Sequence, residues 1–551
     1  MKIQQIAREF IQEAIDKGVS DRRSLQLLKN HYSSKYKISH LSSIELVKAY
    51  DELFGNNAEA GSDDFEKLIR KRAVRSLSGI ASVTVMTKHY ACPGKCIFCP
   101  SEANMPKSYL SNEPAVMRAI LNDFDAYKQT VCRLEGLKKQ GHPIDKIELI
   151  ISGGTFNYYP KRYQSDFVRN IFNGLNSNFD SRSGGVDKRG RGSRQDVGEI
   201  AGKSRSLKEA QQVNETALHR CVGLSLETRP DYVTKSELKR FRELGCTKVE
   251  IGVQCLDDEI YKMNKRGHTV EDVRQALSLL KDAGFKINVH FMPNMYGSSL
   301  KKDFEMFKEL FDDPDFRPDW LKIYPCVVVP GAKLEKIFRE GGHIPYTDKE
   351  LIDLLVKFKE LVPEYCRITR LYRDIPADSI IGGSKVSNLR QYVQADMAKS
   401  GKKCRCIRCR EVRGEGYEED DVQLVVREYD SSGGREYFVS YEDLKNNRLI
   451  GYLRLRIPSQ HFTGKKHWMG DLEGASVIRE LHVFGQQIGL GGREKGAGQH
   501  KGYGKKMIEE AERLTKEVGV SKLAVISGVG VREYYRKLGF EDGGLYQVKI
   551  L

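Results

Sequence analysis

From residue 82 to about 374 the sequence repeats one unit, a short apolar run followed by a longer amphipathic one. No other feature limits the fold as much. The runs fall at 82–86, 147–151, 222–226, 249–253, 287–291 and 321–324, and helical spacing of apolar residues predicts helices at 236–244, 271–283 and 301–311. Strands alternating with helices imply a parallel sheet, either open or curled into a partial (β/α) barrel. The fold class is α/β.

With 551 residues the chain exceeds what one core usually serves, so several domains are expected. Residues 1–75 read as helical and end in Lys67, Arg70, Lys71, Arg72 and Arg75 with no acid between them. That is a candidate nucleic-acid arm, although a solvated helix face carries such charges equally well. Residues 76–375 hold the alternating units. Within them, 181–206 are rich in Gly, Ser and Arg and read as a mobile basic insertion. Residues 376–420 lose the alternation and read as a linker, and 421–551 return to strands and helices as a separate α/β domain.

The formal net charge of +16 favours a polyanionic partner, because neutralising phosphates releases counterions. No apolar run approaches the roughly 20 residues that cross a bilayer, so no membrane is expected. The first residues lack the apolar core and cleavage site of a secretory signal. A reducing, cytoplasmic setting follows, in which the twelve cysteines are thiols, metal ligands or small apolar residues, not a disulfide framework.

Cys92, Cys96 and Cys99 form Cys-x-x-x-Cys-x-x-Cys directly after the first apolar run. Three thiolates so spaced can hold three irons of a 4Fe–4S cubane and leave the fourth iron open to an exogenous ligand; zinc is the competing reading. With Phe98 before the last cysteine, the segment resembles the radical S-adenosylmethionine enzymes, whose partial parallel barrel matches the strand pattern. That resemblance assigns Gly153 and Gly154, which close the second strand, and Glu227, at the end of the third, to S-adenosylmethionine.

A second site opens at Gln499, Gly502 and Gly504, ahead of a helix whose apolar residues Met507, Ala511, Leu514 and Val518 share a face. Free N–H groups at a helix start bind phosphate, and glycines let it approach. With the strand holding Glu480, Leu481, His482 and Val483 before it and Tyr534-Tyr535 after it, the set resembles the GNAT acetyltransferases. Tyr535, or else Tyr534, is then the tyrosine that reaches the thioester sulfur; two core tyrosines are the plainer alternative. Cys404, Cys406 and Cys409 add a third cluster, read as a structural zinc site whose fourth ligand the sequence does not name. A second iron–sulfur cluster or a metal-free basic loop are the alternatives.

A radical domain ahead of a GNAT domain is a rare fusion. Together with Glu227-Thr-Arg-Pro-Asp231, Val249-Glu-Ile-Gly-Val-Gln254, Arg266-Gly-His268, Arg373-Asp-Ile-Pro376 and Ala524-Val-Ile-Ser-Gly-Val-Gly530, it resembles the family of the Elongator catalytic subunit in its stand-alone archaeal type. The resemblance implies carboxymethylation of the wobble uridine of tRNA, bound through its anticodon stem-loop. It further implies a 4Fe–4S cluster, S-adenosylmethionine, acetyl-CoA and an electron donor. Acetyl-CoA contacts would map to Lys146, Glu480 to Val483, Tyr503 to Lys505 (with Gly504) and Tyr535. One departure is that Cys99 is followed by Pro-Ser-Glu where family members often have Pro-Gly-Gly. Two rivals stand beside this reading: a protein lysine acetyltransferase with a structural cluster, for which Glu480 is the available base, and a non-catalytic tRNA-binding scaffold. The oligomeric state is not legible.

Overall fold

Seven strands, β1 (Ala81–Met86), β2 (Lys146–Ser152), β3 (Arg220–Thr228), β4 (Lys248–Gln254), β5 (Lys286–Phe291), β6 (Trp320–Ile323) and β7 (Arg367–Arg370), pair in chain order and in parallel throughout. The sheet leaves β1 and β7 unpaired with each other, so it is a partial barrel. A computed structural model describes residues 2–54, 63–69, 79–178, 204–412, 417–484 and 502–551.

The apolar runs predict the first six strands and miss β7. Its four residues, Arg-Ile-Thr-Arg, bury only Ile368, too little pattern to read. The other strands alternate in a way that positions chemistry. On β4, Val249, Ile251 and Val253 are fully buried in the core, whereas Lys248, Glu250 and Gln254 line the inner cavity. Side chains two apart share a face. The surrounding helices start on side-chain caps. Thr269 and Asp272 make a reciprocal capping box at Val270–Asp282, and that helix buries Val273, Ala276, Leu277 and Leu280 at helical spacing.

Ahead of the barrel, α1 (Lys2–Asp16), α2 (Arg22–Tyr36), α3 (Ser43–Phe54) and α4 (Asp63–Ile69) enclose their own core around Phe10, Tyr32, Leu46 and Phe65. Behind it, a mixed sheet runs β13-β14-β12-β11-β10-β9-β8, built from β8 (Val422–Ser431), β9 (Gly434–Asp443), β10 (Arg448–Ile457), β11 (Ser476–Val483), β12 (Lys522–Val525), β13 (Glu541–Asp542) and β14 (Gln547–Ile550). The helix Tyr503–Glu517 packs Met507, Ala511 and Leu514 onto this sheet. The stretch expected to be linker contains a further helix, Leu389–Lys399.

Sequence alone suggests a separate C-terminal domain, but the structure fuses it to the barrel. One apolar cluster runs from Val83 and Leu149 through to Ala524, Val529 and Tyr546. Across the seam lie Arg454, Arg456 and Arg479, all with fully buried side chains. Arg479 donates to Asp319 Oδ1 and Glu436 Oε2, each at 2.9 Å, and to the Phe285 carbonyl at 2.8 Å. Arg454 donates to Glu480 at 2.9 Å and to the Tyr365 carbonyl at 2.6 Å, and Arg456 to Asp282 at 3.0 Å. Gly528 completes the fit, since a Cβ there would lie 2.3 Å from the Val222 carbonyl oxygen on β3.

Candidate active site

The loop after β1 carries the cysteines. Cys96 is buried, and Cys92 and Cys99 are partly exposed. Backbone bonds from Ile97 N–H to the Asn264 carbonyl (3.2 Å) and from Leu334 N–H to the Ile97 carbonyl (2.8 Å) fix the loop over the barrel mouth. Arg266 donates to Cys96 Sγ at 3.2 Å, and Arg229 approaches it at 3.8 Å. Asp231 holds Arg229 in place through two bonds of 2.9 Å. A hydrogen bond from Cys99 and the charges of Arg266 and Arg229 hold the Cys96 thiol down to about 4. Arg229 and Arg266 belong to the sequence motifs Glu227–Asp231 and Arg266–His268, and only the fold brings both to Cys96.

The three sulfurs do not converge as ligands of a single ion. Among the described residues only Cys404, Cys406 and Cys409 have ligand atoms all within 4.8 Å of one another. A lone tetrahedral zinc needs sulfurs about 3.8 Å apart, from its ~2.3 Å bonds. A cubane instead puts each thiolate on a different iron. The three thiols at 92, 96 and 99 suit a cluster, and those at 404, 406 and 409 suit a single ion. No fourth His, Cys, Asp or Glu joins the latter group among the described residues.

Next to the cysteine loop, Gly153 and Gly154 have φ of 143° and 99°, backbone that favours glycine. A Cβ on Gly153 would lie 1.8 Å from Thr87 Oγ1. Both glycine N–H groups donate to Glu227, at 3.2 and 3.3 Å, as do Ser152 Oγ and the Tyr109 hydroxyl at 3.0 Å. The carboxylate thus gathers the end of β2 into a cradle. Tyr109 joins this cradle without having been read as a site residue.

At the other end of the barrel, β11 and β12 pair only through Ser476, Val477 and Ile478 and then part. Glu480, Leu481, His482 and Val483 stay paired to β10 on one side and, among the described residues, have no strand partner on the other. An extended ligand chain could add there as a further strand. The helix Tyr503–Glu517 starts from Gly502 at φ 76°, which makes no side-chain cap, and a helix N-terminus of this kind favours an anion. The Tyr503 ring turns into the core against Tyr441. Tyr534 sits over Gly504, its hydroxyl 3.0 Å from where a Cβ would be. Tyr535 is buried, which raises its hydroxyl above the usual range.

The base expected for lysine acetylation is poorly suited to that role. Burial raises the Glu480 carboxyl, but Arg454 and Lys286 outweigh it and leave it below the ordinary range. Its oxygen also takes the Trp320 indole N–H at 3.3 Å. A carboxylate so stabilised is a weak proton acceptor.

One cavity of about 1900 Å³ joins the two ends. Its walls include Cys92, Cys96, Cys99, Gly154 and Glu227 on one side and Glu480 to Val483, Gly502, Gly504, Lys505, Tyr534 and Tyr535 on the other, and Lys146, at the start of β2, also lines it. Lys67 falls on α4. Arg70, Lys71, Arg72, Arg75 and Gln499 lie outside the described residues, as does nearly all of the insertion at 181–206. No helix among the described residues is long and apolar enough to cross a membrane.

Comparison with known proteins agrees with this architecture. Residues 86–311 match the model of the radical SAM superfamily, 318–399 that of the radical SAM C-terminal domain and 406–540 that of the acetyltransferase (GNAT) family. The chain is 45% identical over 498 residues to the tRNA uridine(34) acetyltransferase of Methanocaldococcus jannaschii, covering 88% of this chain and 87% of that one. It is 37% identical over 561 residues to Elongator complex protein 3 of Saccharomyces cerevisiae, covering 98% and 94%. The solved structure of the archaeal Methanocaldococcus infernus Elp3 lacking residues 1–46 superposes with a TM-score of 0.72 at 41% identity, over 86% of this chain and all of that one.

Proposed function

Since the chain belongs to the family of the tRNA uridine(34) acetyltransferases and Elongator complex protein 3, we propose that it converts the wobble uridine of tRNA to 5-carboxymethyluridine using acetyl-CoA. The observation that carries the reading is the single cavity bounded by the cysteine loop at one end and the parted strands β11 and β12 at the other. Carbon–carbon bond formation at an unactivated methyl group needs both reagents in one enclosed space.

Cys92, Cys96 and Cys99 hold a 4Fe–4S cluster, and the Gly153–Gly154 turn, with Glu227, receives S-adenosylmethionine. When bound, this pair supplies the radical chemistry that removes a hydrogen atom from the acetyl methyl group. The residues of the chain do the rest. Arg266 and Arg229 donate toward Cys96, which favours the thiolate form a ligand needs. Backbone from Glu480 to Val483 pairs with the pantetheine arm. Gly502, Tyr503, Gly504 and Lys505 receive the pyrophosphate with Gln499, and Lys146 contacts the ligand from the barrel side. Tyr535, or else Tyr534, hydrogen-bonds the thioester sulfur. Cys404, Cys406 and Cys409 bind a structural zinc ion. The positive charge of the chain, including Lys67, Arg70, Lys71, Arg72 and Arg75, draws in the anticodon stem-loop. An external donor supplies the electron.

Anaerobic incubation of the reconstituted protein with tRNA, acetyl-CoA, S-adenosylmethionine and a reductant, followed by nucleoside mass spectrometry, tests the proposal. Carboxymethyluridine at position 34 is expected, and its loss in Cys96→Ala. A protein with a full cluster that yields none of this nucleoside, or a Cys96→Ala variant that still yields it, overturns the proposal.

A further inference from the structure

Lys286 is a cavity-lining cation with no hydrogen bond or ion pair among the described residues. Its neighbours differ. Lys248 pairs with Glu148, Lys322 with Glu250, and Arg367 with Glu411 at 2.6 Å. Lys286 opens β5, so Asn288 shares its face, and Asn288 also lines the cavity. Asn288 is 1% exposed, yet its Oδ1 has no hydrogen-bond partner. An orphaned buried amide oxygen is costly in an empty protein, and here a partly exposed ammonium without a partner among the described residues stands beside it. They are explained by a ligand that presents an acceptor to the ammonium and a donor to the amide oxygen.

What they face narrows that ligand. Lys286 interacts across the cavity with Glu480 and His482 of β11, the segment beside which β12 diverges. On the function proposed above, this is where the acyl end of acetyl-CoA lies.

We propose that Lys286 and Asn288 form the hydrolytic half of the site: Lys286 binds the thioester carbonyl oxygen, and Asn288 Oδ1 accepts a hydrogen bond from the attacking water. This assignment rests on the reading of the preceding section. The water oxygen bonds to the carbonyl carbon, and the C=O π pair moves to oxygen, where the Lys286 N–H group holds the oxyanion. Collapse breaks the C–S bond. The sulfur leaves with the bonding pair and takes up one of the two water protons, and the other passes to solvent. The products are a carboxylate, which remains on Lys286, and the CoA thiol. No redox change occurs in this step, and Lys286 keeps its protons throughout.

The test compares K286M, K286R and N288A with the wild-type holoenzyme, given tRNA, acetyl-CoA, S-adenosylmethionine and reductant. K286M should still form 5′-deoxyadenosine but release CoA about 10²–10³-fold more slowly, the effect of losing one oxyanion donor. Intact-tRNA mass spectrometry should then reveal tRNA still joined to CoA through the thioester. N288A should slow the same step, K286R should retain part of the rate, and ethylammonium should restore part of it to K286M. Because Met replaces a half-buried charge that has no ion-pair partner among the described residues, K286M should melt no lower than wild type, whereas a merely structural lysine would lower the melting temperature. CoA release from K286M at the wild-type rate, or loss of 5′-deoxyadenosine and CoA release in parallel, overturns the assignment. A binding arm keeps it separable from the reading it rests on. K286M should weaken acetyl-CoA but not S-ethyl-CoA, which lacks the carbonyl oxygen, and equal effects on both would overturn the assignment even if the wild-type protein modified no tRNA.

Discussion

Replacing Asp319 with Asn should unfold the seam between the barrel and the C-terminal sheet before anything else. The Asp319 side chain is 1% exposed and accepts from Arg479 Nη1 at 2.9 Å and from the Ile287 N–H at 2.9 Å, with Arg454 Nη1 at 3.6 Å. Around it, Arg454, Arg456, Arg479 and Lys281 face Asp282, Asp319, Glu436 and Glu480 with almost no water to screen them. The neutral amide leaves one cation in excess. Removing one partner of a buried pair costs about 3–5 kcal/mol. The lower end, about 3 kcal/mol, is expected here, because Glu436 still reaches Arg479 and Glu480 still reaches Arg454. Burial raises the Asp319 carboxyl, but Arg479 and Arg454 overcome this and hold it well below the ordinary range. Its contribution is therefore complete above the ordinary carboxylate pKa of about 3.9 and is lost only as pH falls through the depressed value. Asp319 itself does not titrate between pH 6 and 8, but burial pushes Lys281 down to about 7 and the Asp319 charge holds it up in part, so the gap between D319N and wild type should widen as pH falls from 8 to 6. Urea denaturation followed by tryptophan fluorescence reads it well, since one of the two tryptophans, Trp320, lies beside Asp319 in the chain and donates to Glu480. A loss below about 1 kcal/mol, the range of an exposed pair, would refute the claim that these charges are dry.

Gly528→Ala should cost about 1–3 kcal/mol by overpacking, because its Cβ meets the Val222 carbonyl at 2.3 Å; thermal melting checks it, and an unchanged melting temperature would show that the seam is looser than described. Burial and the charge of Arg367 hold His482 down to about 4 from 6.5, so the unfolded chain takes up a proton below about pH 6.5 that the folded one refuses until about pH 4. Stability is thus present above 6.5 and lost as pH falls through that window. His482→Phe should spare up to about 2 kcal/mol of the loss between pH 7.5 and 5, measured as paired urea midpoints; parallel pH profiles would count against it. Cys409→Ser should lower bound zinc in elemental analysis of the purified protein while leaving iron content intact, and equal loss of both metals would contradict the separation of the two cysteine clusters.

Much of this was legible in the sequence because its signals are local. The cysteine spacing at 92, 96 and 99 is a property of one loop, and six of seven barrel strands announce themselves as apolar runs. Gly502, Gly504 and the Met507, Ala511, Leu514 stripe mark a helix start and its face within a dozen residues. Tyr503 shows the limit of such reading, since the family resemblance that puts it in the site does not say that its ring turns into the core.

What only the tertiary structure decided depends on which surfaces meet. The alternating Arg454 and Arg456 on β10 read locally as a solvent face, as period-2 charges on a strand usually are. They are fully buried because that face docks on the barrel, where Asp282 and Asp319, more than 130 residues earlier, receive them. Lys286 likewise looks like any strand-edge lysine until the barrel closes around it and β11 is laid opposite. Periodicity fixes each element and the side of it that is polar. Whether that polar side meets water, a counter-charge or a substrate is set by long-range packing, and no local pattern encodes it.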